Sequence, residues 1–153
     1  MIDAYALYRR LEHRPLGKRV FARAFTAAAP YFASVHPRVV EVGPDRAVVV
    51  VPKRRRVHNH IGTVHAIAAC NGLEAAMGLL AEASIPPTHR WIPRGMEVRY
   101  LAKSTTDLTC AAETDPQVWR DGRAEVLVRV TATRADGVVT VEGTIHLYVS
   151  RRE

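Results

Sequence analysis

The chain has 153 residues, of which 48% are hydrophobic and 24% charged, as expected of one ordinary globular domain. Its formal net charge of +7 favours anionic partners such as nucleic acid, acidic protein or a phosphorylated small molecule. No uninterrupted apolar stretch reaches the roughly 20 residues of a membrane helix, and no basic region with an apolar core opens the chain, so we expect neither membrane association nor a signal peptide.

The chain is predicted to begin with two amphipathic helices. Residues 3–13 have helical character, and Pro15 can occupy the first turn of a second helix that stops near Pro30. The apolar side chains expected to face the core are Tyr5, Leu7, Tyr8 and Leu11 in the first helix, and Leu16, Val20, Phe21 and Phe25 in the second.

The spacing of the apolar residues then changes from that of helices to that of strands. Two valine-rich strands are predicted over residues 35–42 and 47–53. A long helix follows over residues 64–83. Its residues 66–81 are apolar apart from Asn71 and Glu74, so this helix must be covered on most sides.

Four more strands are predicted over residues 96–102, 108–114, 124–132 and 139–149, with a hairpin turn at Ala135-Asp136-Gly137. Their alternation of apolar and polar residues is typical of an antiparallel sheet with one partly wet face. We therefore predict a single α+β domain over residues 1–153, with a helical segment over 1–30. Over residues 35–150 we predict a curved antiparallel sheet wrapped around the long helix. That helix is too apolar to be only half covered, which favours a dimer.

The segment Asn59-His-Ile-Gly-Thr-Val-His65, followed nine residues later by Glu74, is the most informative motif. Burying a lone carboxylate without a partner costs free energy, so Glu74 is either a satisfied structural acid or a functional one. Nine helical residues rotate by about 900° and advance roughly 13.5 Å, which places His65 and Glu74 on opposite sides of one helix. If they cooperate, Glu74 must approach the His65 end of a second copy, as two antiparallel helices around a twofold axis allow.

The start of the same helix offers hydrogen-bond donors. The first N–H groups of a helix have no partner within it and carry partial positive charge, so those of Ala66 and Ile67 are candidates to stabilise an oxyanion. Gly62 allows a sharp turn before the helix, and Thr63 is the predicted cap. A carboxylate that faces an oxyanion hole has the groups needed to transfer an acyl group to water.

The motif Asn59-x-x-Gly62-Thr63-x-His65 with its distant acid resembles that of the hotdog-fold acyl-CoA thioesterases of the phenylacetate-pathway and human thioesterase-superfamily type. The fragment Asn-His-Ile-Gly-Thr-Val-His-Ala is still more similar to an uncharacterised thioesterase-like branch of that superfamily. The resemblance implies a hotdog fold and hydrolysis of an acyl thioester at a dimer interface.

The resemblance also implies a role for each residue. Glu74 would be the general base or the nucleophile, Asn59 and His65 would orient the thioester or the attacking water, and the N–H of Ala66 would polarise the thioester carbonyl. The substrate-binding residues would be Gly62, Thr63 and Ile67 around the helix start, and Arg54, Arg55, Arg56, Arg99 and Lys103 for the phosphates of coenzyme A.

The implied substrate is an acyl-CoA or an acyl-carrier thioester, with coenzyme A entering as part of the substrate and no other cofactor. The implied assembly is a homodimer or a dimer of dimers. The sequence departs from the family pattern where Ala66-Ile67 replaces Gly-Gly, where Pro93 stands near a serine of certain relatives, and where Ala102-Lys103 replaces Pro-Ala. These departures keep the backbone donors but admit a second hypothesis, a non-catalytic acyl-CoA or acyl-chain binding protein.

Structural readings of the same residues stay open at this point. His65 can be a capping or core histidine, Asn59 can be a turn residue, and Asn71 is interpreted as an internal hydrogen-bonding residue. His58, His60 and His65 have no Cys or carboxylate at ligand spacing, so no metal site is expected.

The remaining alternatives concern the cysteines and the basic run. Cys70 is a poor candidate nucleophile because an apolar helix disfavours the thiolate, and with Cys110 it favours a reduced, cytoplasmic setting. The run Lys53-Arg54-Arg55-Arg56 is compatible with nucleic-acid binding. No aromatic residues interleave with it and no nucleic-acid-binding motif is present, so nucleic acid is not the expected partner.

Overall fold

The computed structural model describes residues 3–120 and 124–152. Met1 and Ile2, which the predicted amino-terminal segment includes, lie outside these ranges, as do residues 121–123 and Glu153. The helices are α1 (Ala4–Leu11), α2 (Gly17–Ala28), α3 (Ala66–Ser84) and α4 (Gln117–Arg120), with 3-10 helices at Pro30–Val35 and Arg55–Val57. The strands are β1 (Arg38–Val42), β2 (Arg46–Val51), β3 (His89–Tyr100), β4 (Leu108–Glu113), β5 (Glu125–Arg134) and β6 (Val139–Arg151).

The six strands form one antiparallel sheet in the order β1-β2-β4-β5-β6-β3. One face of the sheet is buried, as the alternation along β5 illustrates, where Val126, Val128, Val130 and Ala132 are buried. Helix α3 packs against this face and contacts β2, β4, β5, β1 and β6. The chain therefore has the predicted hotdog architecture, a curved sheet wrapped around one long helix with helices at its amino-terminal end.

Helix α3 is the centre of the hydrophobic core. Residues 75–81 are buried without interruption, as the near absence of polar residues predicts. By length and composition this helix would be able to cross a membrane, because its mean hydropathy is 1.2. In this fold 61% of that apolar segment is buried inside the protein itself, so its apolar surface serves the core of the domain.

Alanine in place of two glycines of α3 is expected to have opposite effects on stability. A Cβ on Gly72 would collide with the side chains of Val51 and Cys110, whereas a Cβ on Gly78 would meet the ring of Trp91 at 3.6 Å, an ordinary contact. We expect Gly72→Ala to lower the free energy of unfolding by about 1–3 kcal/mol through overpacking. Gly78→Ala should leave it unchanged or raise it by up to about 1 kcal/mol, because alanine favours helices over glycine. Urea unfolding measures both, and equal effects of the two substitutions would contradict this packing.

The amino-terminal helices pack on each other and on the core. The side chain of Asp3 caps α1 by accepting a hydrogen bond from the N–H of Ala6 at 2.9 Å. Tyr8 of α1 meets Phe21 of α2 edge to face, with ring centroids 5.2 Å apart, and both are buried. The two predicted helices are therefore confirmed, and Tyr8 and Phe21 face the core as predicted.

The start of α2 differs from the prediction. Pro15 lies in a turn before the helix, and α2 begins at Gly17 after Leu16, which has a left-handed backbone with φ of 58°. A side chain at Gly17 would collide with the carbonyl oxygen of Leu11, so glycine is required at this close approach. Leu16 is 64% and Val20 51% exposed, and the prediction that these two side chains face the core was wrong.

The first predicted strand is shorter than expected. Residues Pro30–Val35 form a 3-10 helix with proline at its start, and His36 turns the chain with φ of 48° before β1 begins. Val35 is buried, but it ends the 3-10 helix, and only from Arg38 does the chain pair with β2.

The later strands agree with the prediction to within a few residues, apart from β3. This strand starts at His89, earlier than predicted. The prediction missed its first half because that half carries proline and charged residues in place of an alternating pattern. It lies at the edge of the sheet, where Pro93 needs no ladder donor, and a bulge follows between Pro93 and Gly95. The predicted hairpin turn before β6 is confirmed, with Gly137 at φ of 86°. Helix α4 was not predicted.

Candidate functional site

The loop before α3 is organised by Asn59. Its Oδ1 accepts hydrogen bonds from the N–H groups of Ile61 and Thr63, each at 3.1 Å, and its Nδ2 donates to Thr63 Oγ1 at 2.9 Å. Gly62 has φ of 74°, a conformation that glycine adopts without strain. The side chain of Asn59 therefore holds a tight turn, which is the structural role that the sequence left open for it.

His65 caps the amino-terminal end of α3. Its Nδ1 accepts a hydrogen bond from the N–H of Ile67 at 3.0 Å. The prediction that Thr63 caps the helix was wrong, because its hydroxyl accepts from Asn59 instead. The prediction of a free donor at Ile67 was also wrong, because His65 occupies that N–H. The N–H groups of Ala66 and Ala68 bond to no group among residues 3–120 and 124–152, so both donors stay available at the helix start, that of Ala66 at its first position.

The hydrogen bond to Ile67 also assigns the ring proton of His65. A ring nitrogen that accepts a hydrogen bond carries no proton, so the neutral ring of His65 carries its proton on Nε2 and can donate from there. The backbone of the loop is held from two sides. The N–H of Val64 donates to the carbonyl of Ser104 at 2.9 Å, and that of His65 donates to the carbonyl of Val57 at 2.7 Å. The cap is thus rigidly positioned against the rest of the domain.

Glu74 lies half-buried on α3. Within the part of the chain that the structure describes, its carboxylate has no hydrogen-bond or ion-pair partner. It shares one face of the helix with Ile67 and Cys70, at positions i, i+3 and i+7. Ile67 is 56% exposed and the other two are half-buried, so the chain leaves this face of α3 partly open. A structural acid satisfied inside a single chain is therefore not what the structure shows.

His65 and Glu74 do not meet within one chain. One uninterrupted helix, Ala66–Ser84, starts at the His65 cap and carries Glu74, so the separation of roughly 13.5 Å and half a turn that helix geometry requires applies to this pair. The structure brings Asn59, Gly62, Thr63, His65, Ala66 and Ile67 together at the helix start. It leaves Glu74 apart from them.

A cavity of about 200 Å³ adjoins the helix start, and His58, His65 and Asn71 contribute to its lining. Asn71 is 7% exposed. Its Nδ2 donates to Ser34 Oγ at 3.1 Å and to the carbonyl of Tyr31 at 3.4 Å. The predicted internal hydrogen-bonding role of Asn71 is confirmed, and its bonds attach the first 3-10 helix to α3 as one wall of the cavity.

The basic residues predicted to hold coenzyme A phosphates do not form one cluster in a single chain. Residues 54–56 are exposed around the second 3-10 helix. Arg99 lies on β3, at the opposite edge of the sheet from β1, and its Nη1 is 3.9 Å from Glu142. Lys103 follows β3 and directly precedes Ser104, which anchors the loop. Lys103 is therefore close to the helix start along the chain, whereas Arg99 lies on the edge strand β3 beside Glu142.

The two cysteines differ in burial, since Cys70 is half-buried and Cys110 is buried. Burial raises the pKa of Cys110 to about 12, so its thiol is protonated at neutral pH. Both cysteines are free, and Cys70 Sγ lies 3.7 Å from the hydroxyl of Tyr100. Among the described residues, no group of three or more His, Cys, Asp or Glu side chains is arranged to hold a metal ion.

Comparisons with known proteins agree with the fold described above. The family model DUF4442, a domain of unknown function, matches residues 17–149. A structural-genomics crystal structure whose name gives no activity is 42% identical, with a TM-score of 0.85 over 98% of this chain and 99% of that one. A search of curated proteins gave no match.

Solved structures that share less sequence have the same fold. A Pseudomonas aeruginosa protein of unknown function, named a probable thioesterase, is 19% identical with a TM-score of 0.79 over 92% of this chain and 99% of that one. A thioesterase family protein from Silicibacter pomeroyi is 22% identical with a TM-score of 0.71 over 86% of this chain and 96% of that one. At these identities the likeness shows the fold alone, which is the hotdog fold.

Proposed function

This chain belongs to the DUF4442 family, a domain of unknown function, and we propose that it hydrolyses an acyl thioester at a site formed by two copies of the chain. The observation that carries the proposal is Glu74, a half-buried carboxylate without a partner in the described chain, on the helix whose first N–H is also free. Its oxygens are not among the buried side-chain atoms that lack a partner, so this carboxylate is accessible to water, to a substrate or to a second copy of the chain. The fold, shared with proteins named thioesterases, adds support for thioester chemistry.

The reaction needs a donor for the carbonyl oxygen and a base or nucleophile. The oxygen would accept a hydrogen bond from the N–H of Ala66 at the positive end of α3, with the Nε2–H of His65 as a second donor nearby. Glu74 of the second copy would take a proton from water as it attacks the carbonyl carbon, or would attack that carbon itself. With water as the nucleophile, the C–S bond then breaks, the sulfur takes up the proton from Glu74, and a carboxylic acid and a thiol leave. With Glu74 as the nucleophile, the C–S bond breaks to leave a mixed anhydride on Glu74. Water then hydrolyses this anhydride, which releases the carboxylic acid, restores the carboxylate of Glu74 and supplies the proton that the thiolate takes up.

A second copy of the chain is the proposed cover for the open face of α3. Large apolar side chains around this face are exposed in the single chain, with Tyr31 at 73%, Ile67 at 56% and Tyr100 at 56%. Tyr31 and Ile67 line the cavity at the helix start, and Tyr100 contacts Cys70 beside Glu74. Exposed apolar groups that occur together mark interaction surfaces. A homodimer, alone or within a dimer of dimers, would bury them.

A panel of short, long and aryl acyl-CoA thioesters tests the proposal, with release of free thiol and binding measured for each. Repeated turnover of at least one member supports hydrolysis. Saturable binding without any thiol release would instead identify a non-catalytic acyl-CoA binding protein. Binding of an oligonucleotide that weakens steeply with salt and competes with every thioester would place the protein among nucleic-acid binders.

Mixed dimers test whether the two halves of the site come from different copies. We expect Glu74→Gln and Ala66→Pro each to be nearly inactive as homodimers. A purified heterodimer of the two variants should recover about half of the parent activity, because one of the two equivalent sites of a twofold dimer then keeps both groups. A heterodimer as inactive as either variant would place both groups in one chain and contradict the composite site. Thiol release from differently tagged, co-expressed copies provides the measurement.

A further inference from the structure

A groove of about 680 Å³ lies between α2 and β1. Among the described residues, its lining carries five cationic side chains and no carboxylate, the cations being Lys18, Arg19, Arg23, Arg38 and Arg54. We propose that this groove binds the phosphate groups at the nucleotide end of a coenzyme A thioester. The inference rests on the proposed function for the identity of the substrate, and on the charge and shape of the groove for the place where the phosphates bind.

Most of these cations are free to bind an anion. Within the described part of the chain, the side chains of Arg19, Arg23 and Arg54 form no ion pair or hydrogen bond. Arg38 Nη1 is 3.9 Å from Asp107, and both side chains are largely solvated, at 61% and 47% exposure, so this ion pair is weak. Lys18 Nζ donates to the carbonyl of Val40 at 2.6 Å, which fixes its position without neutralising its charge. The groove therefore keeps a strongly positive potential.

The shape of the groove favours a small ligand over a polymer. Its volume falls within the range of about 300–1,000 Å³ that small-molecule sites occupy. Guanidinium groups match phosphate oxygens with paired hydrogen bonds, and the end of coenzyme A carries a diphosphate and a 3′-phosphate on one nucleoside. Sites for single-stranded nucleic acid add aromatic side chains that stack on bases, whereas the described lining holds no Phe, Tyr or Trp.

Arg56 and His36 join the groove to the helix start. His36 lines the groove, and its ring nitrogen Nε2 contacts the guanidinium of Arg56. Arg56 in turn lines the 200 Å³ cavity that His65 also borders. The contact between His36 and Arg56 thus links the groove to the cavity at the helix start, and an extended pantetheine arm would run past it from the phosphates to the thioester.

Charge reversal in the groove tests this inference with two forms of one substrate. We expect Arg19→Glu combined with Arg23→Glu to raise KM for an acyl-CoA by at least about tenfold, since hydrogen bonds between charged groups are the strong ones. The same acyl group on N-acetylcysteamine, which has no phosphate, should be hydrolysed as by the parent. Arg10→Glu combined with Arg14→Glu is the matched control. Both residues are exposed and lie outside the groove, and this variant changes the net charge by as much as the groove variant does.

Calorimetry with coenzyme A itself separates this inference from the proposed function. Binding that the groove variant weakens and the control keeps supports the groove even if no thioester is ever turned over. Equal KM changes for both substrates, unchanged binding of coenzyme A in the groove variant, or equal losses in the control would overturn it. The inference would also be overturned if the groove residues were needed to bind an RNA oligonucleotide or an acidic carrier protein but not to bind coenzyme A.

Discussion

Replacing Glu74 with glutamine is expected to lower kcat for a good acyl-thioester substrate by about 10²–10⁴-fold, the contribution of a positioned general base. Glutamine has the same shape but neither accepts the proton of water effectively nor attacks a carbonyl. Because Glu74 has no partner within the described chain, the substitution breaks no bond that holds the domain together. Thiol release measures the loss, while circular dichroism and size-exclusion chromatography are expected to match the parent.

Glu82 provides the matched control for Glu74. It lies on the same helix, and its Oε1 accepts a hydrogen bond from Trp91 Nε1 at 2.9 Å. Glutamine at this position keeps an oxygen acceptor for the indole, so Glu82→Gln should retain both stability and kcat. Full activity of Glu74→Gln, or an equal loss in the two variants, would refute the special role of Glu74.

Replacing Ala66 with proline should lower kcat by about 10²–10³-fold, the effect of removing one oxyanion donor. Proline has no N–H, but it suits the first position of a helix, where φ is already near its own value. The preceding residue, His65, has ψ of 140°, the extended conformation that a residue before proline requires. The substitution therefore deletes the donor and keeps the helix.

Ala66→Gly is the control for this second substitution, because it changes the side chain and keeps the N–H. It should retain most of the parent activity in the thiol-release assay. If Ala66→Pro keeps the parental kcat and an unchanged far-ultraviolet circular dichroism spectrum, the N–H of Ala66 takes no part in catalysis. Loss of helix signal in Ala66→Pro would contradict the fit of proline at this first helical position.

The periodicity of the apolar residues was enough to predict the principal helices and most strands. The unbroken apolar run of α3 and the clean alternation along β5 and β6 leave few ways to bury so many side chains. The prediction failed where local chemistry overrode the pattern. Leu16 sits in a left-handed turn, and Val35 ends a 3-10 helix behind Pro30, positions at which a single aliphatic residue carries no information about its backbone.

The motif was enough to predict which residues meet at the start of α3, but not the hydrogen bonds that they form there. Spacing alone separates Glu74 from the helix start, since it depends on helix geometry. Spacing does not tell which side chain accepts a hydrogen bond from which N–H group. Here His65 takes the capping role that was expected of Thr63.

The clustering of charges depends on tertiary structure. Lys18, Arg19 and Arg23 lie on one face of α2, a pattern visible in the sequence at helical spacing. Their meeting with Arg38 and Arg54 requires the packing of α2 against β1. Arg99 was predicted to bind the same phosphates as residues 54–56, but its strand β3 lies at the edge of the sheet opposite β1.

Strand β3 has a consequence for the behaviour of the protein in solution. Its 12 residues form the edge of the sheet, and along its outer side no described strand pairs with its backbone groups. Edges of this kind recruit foreign strands, and the exposed Ile92, at 58%, adds an apolar side chain to this one. If a second copy normally shields this edge, dilution or an interface mutation would lower solubility and catalysis together. Light scattering recorded alongside dilution would then report the same dissociation as the loss of turnover.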